Sequence, residues 1–176
     1  MSLLDPLGPR ICLMGPSNSG KSTLAVAIAR RRGQPVIHLD QLYHQSHTDW
    51  RPRPTAEFLR LHALAIEEPQ WVIEGNYTSC IAPRLARATG LILLDVSTAT
   101  SLLRYLRRTW CESDRKGALE GQQDSVKWQM LHHIAVVTPR NRKRYAAMFE
   151  GSALPKVRLA TKAALNGFYR AEALDR

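Results

Sequence analysis

With 176 residues, 44% of them hydrophobic and 23% charged, the chain suits one compact domain with a buried core and is too short for two comfortable ones. No apolar run approaches the roughly 18 residues that cross a bilayer, so no membrane partner is expected; residues 1–9 read as a short tail and not a secretory leader, and the expected compartment is the cytoplasm. A net charge of +10 selects anionic partners (nucleotides, phosphorylated metabolites or nucleic acid) without choosing among them. Cys12, Cys80 and Cys111 are widely spaced, form no C-x-x-C pair and read as free thiols.

Residues 10–14 are an apolar run ending at Gly15, as a buried central strand does. A glycine-rich loop follows, and residues 22–32 read as a helix with Leu24, Ala27 and Ile28 on one face and Gly33 as its stop. Residues 35–40 give a second strand ending on Asp40. Thr55 is placed as the cap of a helix to about residue 68, with Phe58, Leu61 and Ala65 turned inward. Residues 70–74 form a third strand ending on Glu74, residues 81–88 a short helix, and residues 90–96 a fourth strand that carries Asp95. A basic helix is expected over 100–110, a loop without apolar periodicity over 111–125, and a helix over 126–137 closed by Pro139. Residues 140–144 are densely basic and lead to helix near Phe149; a fifth strand at 156–160 and a final helix at 161–174 complete the chain.

Strands alternating with helices require right-handed crossovers, hence a parallel sheet of five strands covered on both faces. Ligands of such sheets collect at the carboxyl ends of the strands, where the sequence puts Gly15, Asp40, Glu74 and Asp95. Gly15, Gly20, Lys21 and Ser22 satisfy G-x-x-x-x-G-K-[ST]. The glycines let the backbone wrap a phosphate; the amides of Ser17, Asn18, Ser19, Gly20, Lys21 and Ser22, with Thr23 in the first helical turn, turn inward, and the helix adds its positive end. Lys21 is expected on the β- and γ-phosphates of ATP or another nucleoside triphosphate, and the Ser22 hydroxyl on Mg²⁺.

Asp40 can take a proton from an attacking hydroxyl, position a substrate, or simply cap a turn. Glu74 suits a carboxylate that meets the metal, usually through water; Asp95 reads as structural and farther along the sheet. Between the second and third strands Trp50, Arg51 and Arg53 stand together, either as an anion-binding and ring-stacking group or as a proline-stiffened surface loop. His44, His47 and Asp49 lack a further strong ligand for a metal. Arg104, Arg107 and Arg108 share a helical face; arginines so placed can neutralise a transferring phosphoryl group, or form a solvated basic face. Arg140, Arg142, Lys143 and Arg144 form the densest basic cluster.

The order phosphate loop, His38-Leu39-Asp40-x-Leu42-Tyr43, Trp50, Phe58, Trp71-Val72-Ile73-Glu74-Gly75-Asn76-Tyr77, Leu91 to Asp95 and an Arg-x-x-Arg helix resembles the adenylate-kinase-related phosphate-loop kinases. Within them it is most similar to small bacterial proteins labelled DNA topology modulation (FlaR-type) proteins, over about residues 10–145. The resemblance implies a three-layer P-loop NTPase fold in a single domain, an insertion at about 41–69 that covers the acceptor, and a lid at about 104–125 carrying Arg104, Arg108, Arg115 and Lys116. It sets Glu74-Gly75 in the place of the Asp-Gly of Asp-Gly-Phe-Pro-Arg, with Gly75, Asn76 and Tyr77 beside the acceptor. Thr78 stands where the arginine belongs, which argues against AMP as acceptor.

The expected activity is therefore Mg²⁺- and ATP-dependent phosphoryl transfer to a small-molecule or nucleotide acceptor, with Lys21, Asp40, Arg104 and Arg108 as the catalytic set. Two alternatives stay open: a DNA-associated regulator switched by nucleotide, and a kinase of nucleic-acid 5′-hydroxyl ends.

Overall fold

The computed structural model describes residues 2–48, 50–97, 99–103 and 138–175. Among these, β1 (Arg10–Met14), β2 (Val36–His38), β3 (Trp71–Glu74), β4 (Gly90–Leu94) and β5 (Lys156–Leu159) form a parallel sheet in the order β2-β3-β1-β4-β5. The helices are α1 (Lys21–Arg32), α2 (Leu39–Tyr43), α3 (Thr55–Glu67), α4 (Ile81–Arg87), α5 (Thr138–Gly151) and α6 (Lys162–Ala171). Residues 99–103 are also helical, at the start of the expected basic helix; Arg104, Arg107 and Arg108, the lid and the helix at 126–137 lie outside the described residues.

Three layers follow from the alternation of side chains along each strand. Ile11, Leu13, Val72, Ile92 and Leu94 face α1 and α6, meeting Leu24, Ile28, Leu165 and Phe168. Cys12, Met14, Trp71, Ile73, Leu91 and Leu93 face the other way, against Phe58 and Ile66 of α3, Ile81 of α4, and Tyr145 and Phe149 of α5. Because both faces are covered, β1, β3 and β4 are apolar almost without interruption. Cys12 and Cys80 are buried free thiols. No described helix is long and apolar enough to cross a membrane.

Three expectations change. Asp40 is not the last residue of a strand: β2 stops at His38 and Asp40 lies in the first turn of the short helix α2. Pro54, not Thr55, is the N-cap residue of α3, whose buried residues are Phe58, His62 and Ile66, so the inner face sits one residue beyond Leu61 and Ala65. Pro139 is the second residue of α5, where a missing N–H costs nothing. Asp95 is not remote, since β4 lies directly beside β1.

Asp95 is nonetheless structural. It is 4% exposed and receives hydrogen bonds from Arg142 of α5 and Arg158 of β5. Burial alone would raise its pKa, but those hydrogen bonds and the two charges outweigh it and hold the carboxyl below its usual 3.8. Arg142, a member of the basic cluster, is thus engaged with a carboxylate.

Candidate active site

The loop between β1 and α1 has the backbone that phosphate binding requires. Gly15 sits at φ 146°, where a Cβ would collide with the Leu94 carbonyl. Asn18 and Gly20 also have positive φ. No side chain caps α1, and its first turn holds no acidic residue, so its positive end is open to an anion. Lys21 Nζ bends back to donate to Pro16 O at 2.9 Å, spanning the loop. Burial pushes the Lys21 ammonium below its usual 10.5, while the charges of Glu74 and Asp40 pull it up. A half-buried cation with partial compensation is suited to receive phosphate oxygens.

Register explains the carboxylate beside it. Glu74, the last residue of β3, is level with Leu13 of β1 and with His38 of β2. Its Oε1 accepts from Ser22 Oγ at 3.0 Å and lies 2.9 Å from His38 Nδ1. At 3% exposure burial would raise its pKa, yet the His38 contact, the charges of Lys21 and His38, and the Ser22 hydrogen bond hold it below the usual 4.5. His38 was quoted in the sequence only as part of a motif. Its role as the neighbour that orients Glu74 depends on strand register, which the sequence does not display.

The fold implies Mg²⁺, and the donors fit. A hydroxyl and a carboxylate oxygen stand side by side at the foot of the loop, both hard ligands. No group of three or more His, Cys, Asp or Glu able to hold a metal occurs among the described residues. Glu74→Gln is expected to weaken Mg²⁺ in nucleotide binding by about 10–100-fold, read from a Mg²⁺ titration of nucleotide affinity. An unaltered Mg²⁺ midpoint would remove Glu74 from the metal site.

Asp40 stands across the site. Tyr77 Oη donates to Asp40 Oδ1 at 2.7 Å, and Asp40 itself stays half-buried. Asn76 accepts from the Gly15 N–H at 3.3 Å through Oδ1 and donates to the Gly15 carbonyl through Nδ2. Gly75, at φ 128°, leaves its carbonyl for Arg84 Nη2 at 3.0 Å. Arg84 escaped the sequence reading. It is 0% exposed, with Nε and Nη1 lacking a hydrogen-bond partner among the described residues. Burial and the Arg84 charge push the neighbouring His62 down to about 4. An arginine one turn after Ile81 in a short helix, on the apolar face, was the available signal.

The expected acceptor segment folds back on itself. His44 bridges Pro52, Gln45 N donates to Arg51 O at 2.9 Å, and Arg53 N donates to Tyr43 O at 2.7 Å. Trp50, at φ 54°, sets its ring against His44 at 5.0 Å and is half-buried. Arg51 is exposed, whereas Arg53 is tied to Leu42 O at 3.0 Å and to Glu57 at 3.3 Å. His44 Nδ1 lies 3.0 Å from Asp40 O, and Asp49 is outside the described residues. The structure thus gathers Gly15, Lys21, Ser22, Glu74, Asp40, Asn76 and Tyr77 around one rim; Arg53 serves the hairpin.

The model of the isopentenyl transferase family matches residues 10–62. A tRNA dimethylallyltransferase from Synechococcus sp. (strain CC9902) is 36% identical over 94 residues, 48% of this chain and 31% of that protein. The chain therefore spans about a third of that relative's length. Among solved structures, shikimate kinase from Bacteroides thetaiotaomicron superposes with a TM-score of 0.54 at 18% identity, covering 92% of this chain and 94% of the other. Shikimate kinase from Aquifex aeolicus gives 0.54 at 17%, covering 92% and 95%. A gluconokinase from Sinorhizobium meliloti 1021 gives 0.50 at 16%, covering 94% and 90%. With the sheet order above, these likenesses give the chain the three-layer α/β P-loop NTPase fold.

Proposed function

We propose that the protein is an ATP-dependent phosphotransferase acting on a hydroxyl acceptor, with Asp40 as the proton acceptor. The observation that supports this reading is the link from Asp40 to the phosphate loop: Tyr77 Oη donates to Asp40 Oδ1 at 2.7 Å, and the adjacent Asn76 accepts from the Gly15 N–H at 3.3 Å. The loop and α1 hold the triphosphate, with Lys21 neutralising charge that develops on the β- and γ-phosphates. Ser22 and Glu74 would hold Mg²⁺, which supplies further charge neutralisation on the phosphate oxygens. As the acceptor oxygen bonds to the γ-phosphorus, the bond from that phosphorus to the β–γ bridging oxygen breaks and ADP departs. The hydroxyl proton passes to the Asp40 carboxylate. Residues 41–69 cover the acceptor in this reading, with Trp50 and Arg51 at its edge. The fold shared with small kinases along nearly the whole chain agrees with it.

A second reading takes nucleic acid as the acceptor, either a 5′-hydroxyl end or a tRNA. The +10 charge and the tRNA-modifying relative favour it, and the resemblance to DNA topology modulation proteins belongs with it. One experiment separates the two. ATP consumption with Mg²⁺ is measured against nucleosides, nucleotides, sugars, sugar acids and oligonucleotide ends; a parallel arm offers dimethylallyl diphosphate and unmodified tRNA. A sharp rise with one small hydroxyl compound is expected. Product in the prenyl arm alone, with no ATP consumed, would overturn the phosphotransferase reading.

A further inference from the structure

The geometry points to the turn Gly75, Asn76 and Tyr77 as a positioning element that fixes Asp40 relative to the phosphate loop, with Tyr77 orienting the Asp40 carboxylate. The inference rests on the phosphotransferase reading and goes beyond it, because the Gly75 carbonyl and the side chains of Asn76 and Tyr77 are hydrogen-bonded within the protein.

Each of the three residues holds a different part. The Gly75 carbonyl is anchored to the fully buried Arg84, so the base of the turn is fixed to the core layer beneath β3. Asn76 grips both backbone groups of Gly15, the residue at which β1 becomes the phosphate loop. Two opposed hydrogen bonds, one to each of the peptides that flank the Gly15 Cα, restrain orientation as well as distance, which a single bond would not. Tyr77 then reaches Asp40 Oδ1. Its ring is locked by Tyr43 and Phe58, with centroids at 4.7 and 5.1 Å. Burial and the Asp40 charge raise the phenol well above its ordinary pKa, so it remains a donor. Phosphoryl transfer depends on the alignment of acceptor oxygen and γ-phosphorus, and these contacts set the base and the phosphate cradle in one frame. In this reading Oδ2 of Asp40 takes the acceptor proton while Tyr77 holds Oδ1.

Tyr77→Phe tests this, since it keeps the ring and its packing and removes only the hydroxyl. On the hydroxyl acceptor, kcat is expected to fall about 10–100-fold, the rate equivalent of one hydrogen bond to a carboxylate. The KM for MgATP, the directly measured nucleotide affinity and the thermal midpoint should match the parent chain. In the Asp40→Asn background the same substitution should cost little more, because Tyr77 acts through the carboxylate. Parent-like kcat in Tyr77→Phe, or an equal loss with and without Asp40, would overturn the positioning role and leave the phosphotransferase reading standing. A parent chain that phosphorylates no hydroxyl acceptor would overturn both.

Discussion

Lys21→Ala is expected to lower acceptor-dependent ATP turnover by about 10²–10³-fold, the usual cost of removing one preorganised charge from a phosphoryl or oxyanion site. Three facts combine in this residue. It begins α1 at the open, uncapped end of the helix. Its ammonium arches over the loop to Pro16 O. It also feels the carboxylates of Glu74 and Asp40. Removing it leaves those carboxylates facing the incoming phosphates without a counter-charge, so nucleotide affinity and kcat should fall together. The fold should persist, because the loop's own backbone hydrogen bonds do not use the side chain. Retained acceptor-stimulated turnover in Lys21→Ala would make the proposed mechanism wrong.

The same residue gives the affinity a pH dependence whose sign is fixed. Burial depresses the Lys21 pKa, so its positive charge is present at lower pH and is lost as pH rises through a value below the ordinary 10.5. Triphosphate affinity should therefore decline on the alkaline side earlier than an exposed lysine would allow.

The phosphate loop was legible because its chemistry is local: glycines, lysine and serine at fixed spacing between a strand and a helix, and all of it lies within residues 15–22. Glu74 was legible for a similar reason, as the carboxylate that ends an apolar strand. What the sequence did not carry was lateral order. The sheet runs β2-β3-β1-β4-β5, so the strand next to the loop on one side is third in the chain and on the other side fourth. Nothing local reports such crossovers, which is why Asp95 was expected farther out. His38 faces Glu74 only because β2 and β3 align in that register. Arg84 was hidden by a different rule: arginine is rarely fully buried, so an arginine in a short helix with Ile81 and Leu85 is read as exposed. Asp40 was placed within one turn of its true setting, and the error was to carry β2 through Asp40, although α2 begins at Leu39.

Asp40→Asn is expected to reduce kcat on a hydroxyl acceptor by about 10²–10⁴-fold, the range of general-base contributions. The substitution is nearly isosteric. An amide oxygen can still accept from Tyr77 Oη, so the frame built by the Gly75 to Tyr77 turn should survive and the KM for MgATP should stay close to that of the parent. What disappears is the capacity to take a proton. An acceptor that is already a phosphate needs no strong base, its attacking oxygen being anionic before transfer begins. With such an acceptor Asp40 would only position, and Asp40→Asn should cost no more than about tenfold. The size of the loss therefore reports the class of acceptor, measured as kcat for the same variant across hydroxyl and phosphate compounds. Full activity of Asp40→Asn on a hydroxyl acceptor would end the assignment of Asp40 as base. A large loss with unchanged nucleotide affinity would tie the proton transfer to this carboxylate.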